Sequence, residues 1–189
     1  MFYEEACLAL KNYRIVAIDD SPFSRGQAKC LLVGVVSRRD VVEGILSTRV
    51  EVDGTDGTRK ISEMISRSRF APQIRCIILN GIMVGGFNVV DIGELNEELG
   101  IPVIALTRKK PNKGAAETAL KKHFKDWRER VERVRHAGEG KKHKKAYMQI
   151  AGISAKDAGE IIDVYGLEPL RLANMIASGI AKGESRGRI

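Results

Sequence analysis

Residues 13–52 hold three apolar runs with nothing between them long enough to be a helix. The first is Tyr13–Asp19, which runs straight into "IDDSPF". The second is "KCLLVGVVSRRD" (29–40) and the third is "VVEGILSTRVEV" (41–52), with "RRD" as the tight connection between them. Their valine content and alternation suit strands. Parallel neighbours need a crossover of about a dozen residues or more, and these runs have none, so they pair as an antiparallel meander. An ordinary doubly wound sheet is disfavoured: it needs a helix between successive strands and a Gly-rich phosphate loop after the first.

The remainder alternates differently. "DGTDGT" (53–58) is a break signal, and "RKISEMISRSR" sets Ile61, Met64 and Ile65 at helical spacing. "IRCIILNG" (74–81) is a continuous apolar run, as in a strand covered on both faces. "NVVDIGELNEELG" (88–100) is predicted as a helix, with Asn88 and Asp91 at the spacing of a capping pair and Gly100 closing it. "IPVIALTRK" is the next covered strand. A helix is predicted from about Ala115 to Arg135, a flexible loop at "GEGKKHKK", and a short strand or extended segment at "AYMQIAG". Ser154 caps a helix through "AKDAGEIIDVYG", "EPLRLANMIASGIAKG" forms the last helix, and "ESRGRI" is a loose tail. No internal repeat is present. A meander followed by strand–helix–strand units gives an α/β mixed sheet with helices on both faces, in the element order of the ribonuclease H-like fold. At 189 residues the chain fits a single domain, 1–189, carrying a basic helical segment at about 108–145 and C-terminal helices.

The net charge of +8 is concentrated. Residues 108–145 hold 15 Lys and Arg against 5 Asp and Glu, so the rest of the chain is slightly acidic. Such a footprint suits phosphates, and Lys109, Lys110, Lys121, Lys122, Lys125, Arg128, Lys141, Lys142 and Lys144 are candidates to hold a nucleic-acid backbone. A solvated helix face and a charged loop would look the same. His123, His136 and His143 sit inside this segment without metal-ligand spacing or an evident acidic partner, and read as exposed. Phe124 and Trp127 read as the apolar face of the helix, or as platforms for a base. Cys7, Cys30 and Cys76 are odd in number and set among apolar residues. That suits reduced thiols in a cytoplasmic protein and argues against disulfides or zinc. The first residues, "MFYEEACLALKN", carry acids where a signal peptide has bases, and no apolar run reaches the roughly 20 residues of a membrane span.

The candidate chemistry lies where strands one and four end side by side, on "IDDS" and "ILNG". Carboxylates gathered there would bind Mg²⁺ or Mn²⁺ through oxygen, and such ions assist phosphodiester hydrolysis. Alternation places Asp19 and Asp20 on opposite faces, so one of them points at a given site. Asp56 or Glu63 is available as a further carboxylate, and Asp91 lies near the same rim. Asp56 also reads as a turn or cap residue, and Glu63 as an exposed helix position.

The blocks "AIDDSPF", "DGTDGT", "IILNGIMVGGFNVVDI", "GIPVIALTRKKPN", "GLEPLRLANMIASG" and "GESRGR" resemble an uncharacterised, largely archaeal family, domain of unknown function number ninety-nine. That family is similar, distantly, to endonuclease V, which cleaves nucleic acid near deaminated adenine. The resemblance implies a ribonuclease H-like fold and a metal-dependent nuclease site. By this likeness Asp19 is the first metal-binding aspartate, and Asp56 or Glu63 falls near the second acidic position. Asn80 replaces the third aspartate, and Asn174 stands where some endonucleases have histidine. No counterpart of the "PYIP" wedge is present, so inosine-specific cleavage does not carry over. Two functions follow: a divalent-metal-dependent nuclease acting on phosphodiesters, or a nucleic-acid- or nucleotide-binding module that has lost cleavage.

Overall fold

The computed structural model describes residues 12–185. Cys7, the acidic first residues, which read as unlike a signal peptide, and the end of the tail lie outside them. Strands β1 (Arg14–Asp20), β2 (Lys29–Arg38) and β3 (Val41–Glu51) form the expected antiparallel meander. Helix α1 (Gly57–Ser66) and a 3-10 turn (Ala71–Gln73) lead to β4 (Ile74–Leu79), which returns parallel to β1. Two-residue strands β5 (Met83–Val84) and β6 (Asn88–Val89) make a small separate hairpin before α2 (Ile92–Leu99) and β7 (Val103–Thr107). Then come α3 (Lys113–His123), α4 (Trp127–His136), β8 (Lys141–His143), β9 (Ala146–Ala151), α5 (Ala155–Tyr165) and α6 (Glu168–Lys182). The seven-stranded sheet runs β3-β2-β1-β4-β7-β9-β8, parallel at β1-β4-β7 and antiparallel elsewhere. This is the mixed, ribonuclease H-like sheet that the strand order requires.

Strand alternation builds two cores. Val16, Ile18, Ile77 and Leu79 face α1 to α4 and meet Ile61, Ile65, Leu95 and Val131. Ile15, Ala17, Cys76, Ile78 and Ile104 face the opposite way, toward Ile161, Ile162 and Tyr165 of α5. Helix α6 lays Ala173 and Ala177 on Val33 and Val35 of β2. Small residues at those positions let the helix approach the sheet closely enough to cover the β1 end. Cys30 and Cys76 are free and buried, and burial pushes their thiols up to about 11 and about 12. No helix among the described residues is long and apolar enough to cross a membrane.

Three local expectations are corrected. Helix α2 starts at Ile92, capped by Asp91, whose Oδ1 accepts from the N–H groups of Gly93 and Glu94. Asn88 caps nothing there, because its fully buried amide serves three other partners. It accepts from Gly57 N at 2.9 Å and donates to Glu51 O at 3.0 Å and Asp56 Oδ1 at 2.7 Å. We expect Asn88→Ala to cost about 2–3 kcal/mol by stranding these groups, read as a lowered urea midpoint at unchanged slope.

The basic helix is not continuous either. Phe124 adopts extended dihedrals (φ −130°, ψ 135°), and its ring meets Phe87 at 5.5 Å between centroids, which separates α3 from α4. Within the predicted loop, residues 141–143 form β8. The outer edge of β9 offers backbone partners that a sequence pattern does not display.

Candidate functional site

Asp19 reaches the C-terminal end of β1 on the face that α6 covers, and it is 3% exposed. A carboxylate so placed must find donors. Its Oδ1 accepts from the N–H of Asp20 at 2.9 Å, and its Oδ2 accepts from Asn80 Nδ2 at 3.1 Å. Asn80 follows directly on β4, which pairs with β1, and its own N–H extends that pairing to Ile18 O. Burial, followed by the charge of Asp20, raises the Asp19 carboxyl to about 6, against the opposing donors Asn80, Asp20 N–H and Asn174. Asn174, on α6, thus joins the group from the other side of the site.

Asp20 faces the other way, as alternation requires. Its Oδ2 accepts from Gly85 N at 2.9 Å, and burial raises its pKa despite that bond. Gly85 has φ 54°, and a Cβ there would stand 3.0 Å from Cys30 Sγ. Only glycine brings its backbone N–H this close to Asp20. The adjacent carboxylates of "IDDS" therefore have separate employments: Asp20 fastens the β5–β6 hairpin to the sheet, and Asp19 is left facing the site.

The other candidate acids stand elsewhere. Asp56 precedes α1 without a side-chain cap, and its Oδ1 accepts from Glu51 N and from Asn88. Glu63 lies on α1, against the core face opposite to Asp19, and pairs with Arg59 at 2.8 Å and Lys60 at 3.9 Å. Arg59 beside it holds its carboxyl below the usual range. Among the described residues no group of three or more His, Cys, Asp or Glu is placed to hold a metal. The donors that do converge are one carboxylate and two amides, Asp19, Asn80 and Asn174. Asn80 and Asn174 turn N–H groups toward the carboxylate, so Asp19 supplies the charged oxygen of the site, and an amide would have to present its carbonyl oxygen to serve a hard cation such as Mg²⁺ or Mn²⁺. One carboxylate and two amides do not make an all-protein cage for a metal ion.

The basic segment is divided between the two faces. Lys121 and Arg128 sit over the Trp127 ring, each 4.8 Å from its centroid, and Lys121 pairs with Glu117 at 2.7 Å. These, with exposed Lys122 and Lys125, belong to the α1–α4 side. Lys109 and Lys110 are exposed past the end of β7, and Lys141, Lys142 and Lys144 lie at the β8 edge. Two of the three histidines do have acidic partners, contrary to the sequence reading. His136 Nδ1 is 3.0 Å from Asp91 Oδ2, which raises its pKa, and His143 Nε2 is 2.8 Å from Asp163 Oδ1. Those two acids are distant in sequence and leave no trace in the segment, whereas Glu132, 3.3 Å from His136 Nε2, stands at the i,i+4 spacing of one helix face. A cleft of about 240 Å³ opens beside Asn80, lined by Gly81, Ile82, Thr107, Pro111 and Gln149.

The sequence matches the family described as endonuclease dU over residues 11–181. A UPF0215 protein of Methanothermobacter thermautotrophicus is 45% identical over 184 residues, covering 92% of this chain and 90% of that protein. A solved protein of unknown function from Archaeoglobus fulgidus is similar with a TM-score of 0.84 at 36% identity, covering 89% of this chain and 98% of that one. Endonuclease V of Ciona intestinalis, solved in complex with a 24mer DNA containing an inosine followed by a ribo-adenosine, gives a TM-score of 0.53 at 11% identity. It covers 91% of this chain and 92% of that one, and the likeness is one of fold. With a match spanning nearly its whole length, on a sheet shared with endonuclease V, the chain belongs to the endonuclease dU family.

Proposed function

We propose that this chain, acting as one domain, is a divalent-metal-dependent nuclease that hydrolyses a phosphodiester in nucleic acid carrying a deaminated base. Deoxyuridine, for which the family is named, is the first substrate to test. The observation that carries this reading is Asp19, a buried carboxylate raised to about 6 at the C-terminal end of a central strand, with amides rather than cations around it. An Mg²⁺ or Mn²⁺ ion bound there supplies neutralisation of phosphate charge and activation of a water. Asp19 is the residue to hold that ion. Asn80 and the Asp20 N–H fix the orientation of its two oxygens. Asn174 closes the site from α6. The exposed lysines on either face offer contacts to the backbone beyond the cleaved bond.

The test is cleavage of labelled oligonucleotides bearing deoxyuridine, inosine or no lesion, with Mn²⁺ or with EDTA. Mn²⁺-dependent scission of a lesion-bearing strand is expected. Metal-independent scission would overturn the mechanism, and salt-sensitive binding without scission would mark a binding module instead.

Asn80 brings no charge where a third carboxylate would strengthen the site. Asn80→Asp is expected to tighten Mn²⁺ binding about tenfold or more, seen by calorimetric titration. In EDTA the same change should lower thermal stability, because it sets a second carboxylate beside Asp19.

A further inference from the structure

The C-terminal ends of the parallel strands, where Asp19 lies, border a second concavity beyond β7. Arg108 follows the end of β7, Lys144 and Lys145 form the β8–β9 turn, and Gly166 and Leu167 form the turn from α5 to α6. Together they border a cleft of about 610 Å³. Its floor is apolar, from Ala146, Ile162 and Leu167, and Leu167 stands 40% exposed. Gly166, with φ 63° and ψ −156°, occupies backbone space that is essentially reserved for glycine, and this sharp turn leads the chain directly into Leu167.

The rim is cationic. Asp163, the acid of the cleft, is already engaged by Lys144 Nζ at 2.6 Å and His143 Nε2 at 2.8 Å. Arg108 and Lys145 have no ion pair or side-chain hydrogen bond among the described residues. An apolar floor beneath two uncommitted cations is complementary to a flat ring joined to a phosphate. The volume falls within the roughly 300–1,000 Å³ of small-ligand sites. Strand β7 lies two places from β1, so Arg108 stands roughly 10 Å from the Asp19 strand across the sheet. One nucleic-acid strand crossing the ends of β1, β4 and β7 would span both places. A base inside a duplex stack cannot enter such a cleft, and an unpaired one can.

We propose that this cleft seats one unpaired nucleotide of the strand bound at Asp19, with its base against Ile162 and Leu167 and its phosphate on Arg108 and Lys145. The proposal deepens the nuclease reading and rests on it for the identity of the ligand. It is tested by fluorescence anisotropy in EDTA, using a labelled single-stranded 16-residue oligonucleotide and the blunt duplex of the same sequence (length roughly one binding site). Leu167→Ser is expected to weaken single-strand binding about tenfold and to leave duplex binding unchanged, with Leu167→Met restoring it. Arg108→Ala together with Lys145→Ala should flatten the salt dependence of single-strand affinity by about 1.4 in log–log slope. Unchanged single-strand affinity in Leu167→Ser, an equal loss on duplex, or no single-strand binding by the unaltered chain would overturn the cleft assignment. Mn²⁺-dependent cleavage is measured alongside. Cleavage with an indifferent Leu167 removes the cleft and leaves the nuclease, whereas selective loss of binding without any cleavage removes the nuclease and leaves the cleft.

Discussion

Asp19→Asn is expected to lower Mn²⁺-dependent cleavage by more than about a hundredfold and, in the same protein freed of metal, to raise stability at neutral pH. Both effects arise from one property. The folded chain holds the Asp19 carboxyl at about 6, above its ordinary 3.8, mainly by burial and next by the charge of Asp20. A carboxyl raised on folding favours the protonated folded state. Its contribution to stability is therefore fully present below about pH 4 and is lost as the pH rises through about 6. At pH 7 the buried charge costs the metal-free protein about 3 kcal/mol, an upper figure for what the neutral amide would recover. The amide oxygen can still accept from the Asp20 N–H, so the substitution preserves that link. Thermal melts in EDTA should show Asp19→Asn several degrees above the unaltered chain at pH 7 and level with it at pH 4. Destabilisation at both pH values, or cleavage that persists, would show that Asp19 is a structural acid. A residue that weakens the resting fold and is needed only when an ion is present is what a binding site built at a cost to stability looks like.

Arg130→Ala is expected to have the largest effect on stability, a loss of about 3 kcal/mol, because it removes a buried, hydrogen-bonded cation. Arg130 is 5% exposed. Its Nη1 donates to Gly54 O at 2.8 Å and Phe87 O at 2.9 Å, its Nε donates to Asp126 at 3.0 Å, and its guanidinium lies 4.1 Å from the centre of the Phe124 ring. It thus ties α4 to the loop before α1 and to the β5–β6 hairpin. Truncation leaves two carbonyls without donors and removes the stack. Lysine cannot replace the fork. Arg128, two residues earlier, is exposed and lies against the Trp127 ring, so Arg128→Ala should cost under about 1 kcal/mol. Urea unfolding of the two variants separates them, and equal effects would refute this division of labour.

That contrast shows what was legible in the sequence. The pattern identified a basic segment between residues 108 and 145 but not which cations are free. Arg130 and Arg133 look identical to Arg128 in sequence. Yet Arg133 donates to Thr55 O and Val89 O, while Arg128 stays on the surface. Asn88 was similarly opaque: the Asn-to-Asp spacing implied a cap, and three distant polar groups claimed the side chain instead. Contacts between elements far apart in the chain leave no periodic trace.

The sequence alone determined the centre of the sheet, though not its β8 edge. Three strands without a helix between them must pair as neighbours, and continuous apolar runs must be covered on both faces, because local backbone geometry and apolar periodicity are properties of short segments. Alternation likewise committed Asp19 and Asp20 to opposite faces. Only the tertiary structure decided which aspartate met which face: Gly85 approaches from one side and takes Asp20, while Asn80 and Asn174 arrive from β4 and α6 and surround Asp19. It also carried Glu63 to the far side of the sheet and tied Asp56 to the Glu51 turn and to Asn88. Those placements depend on packing between segments up to 155 residues apart, counted from Asp19 to Asn174, and side-chain chemistry at one position does not encode its distant neighbours.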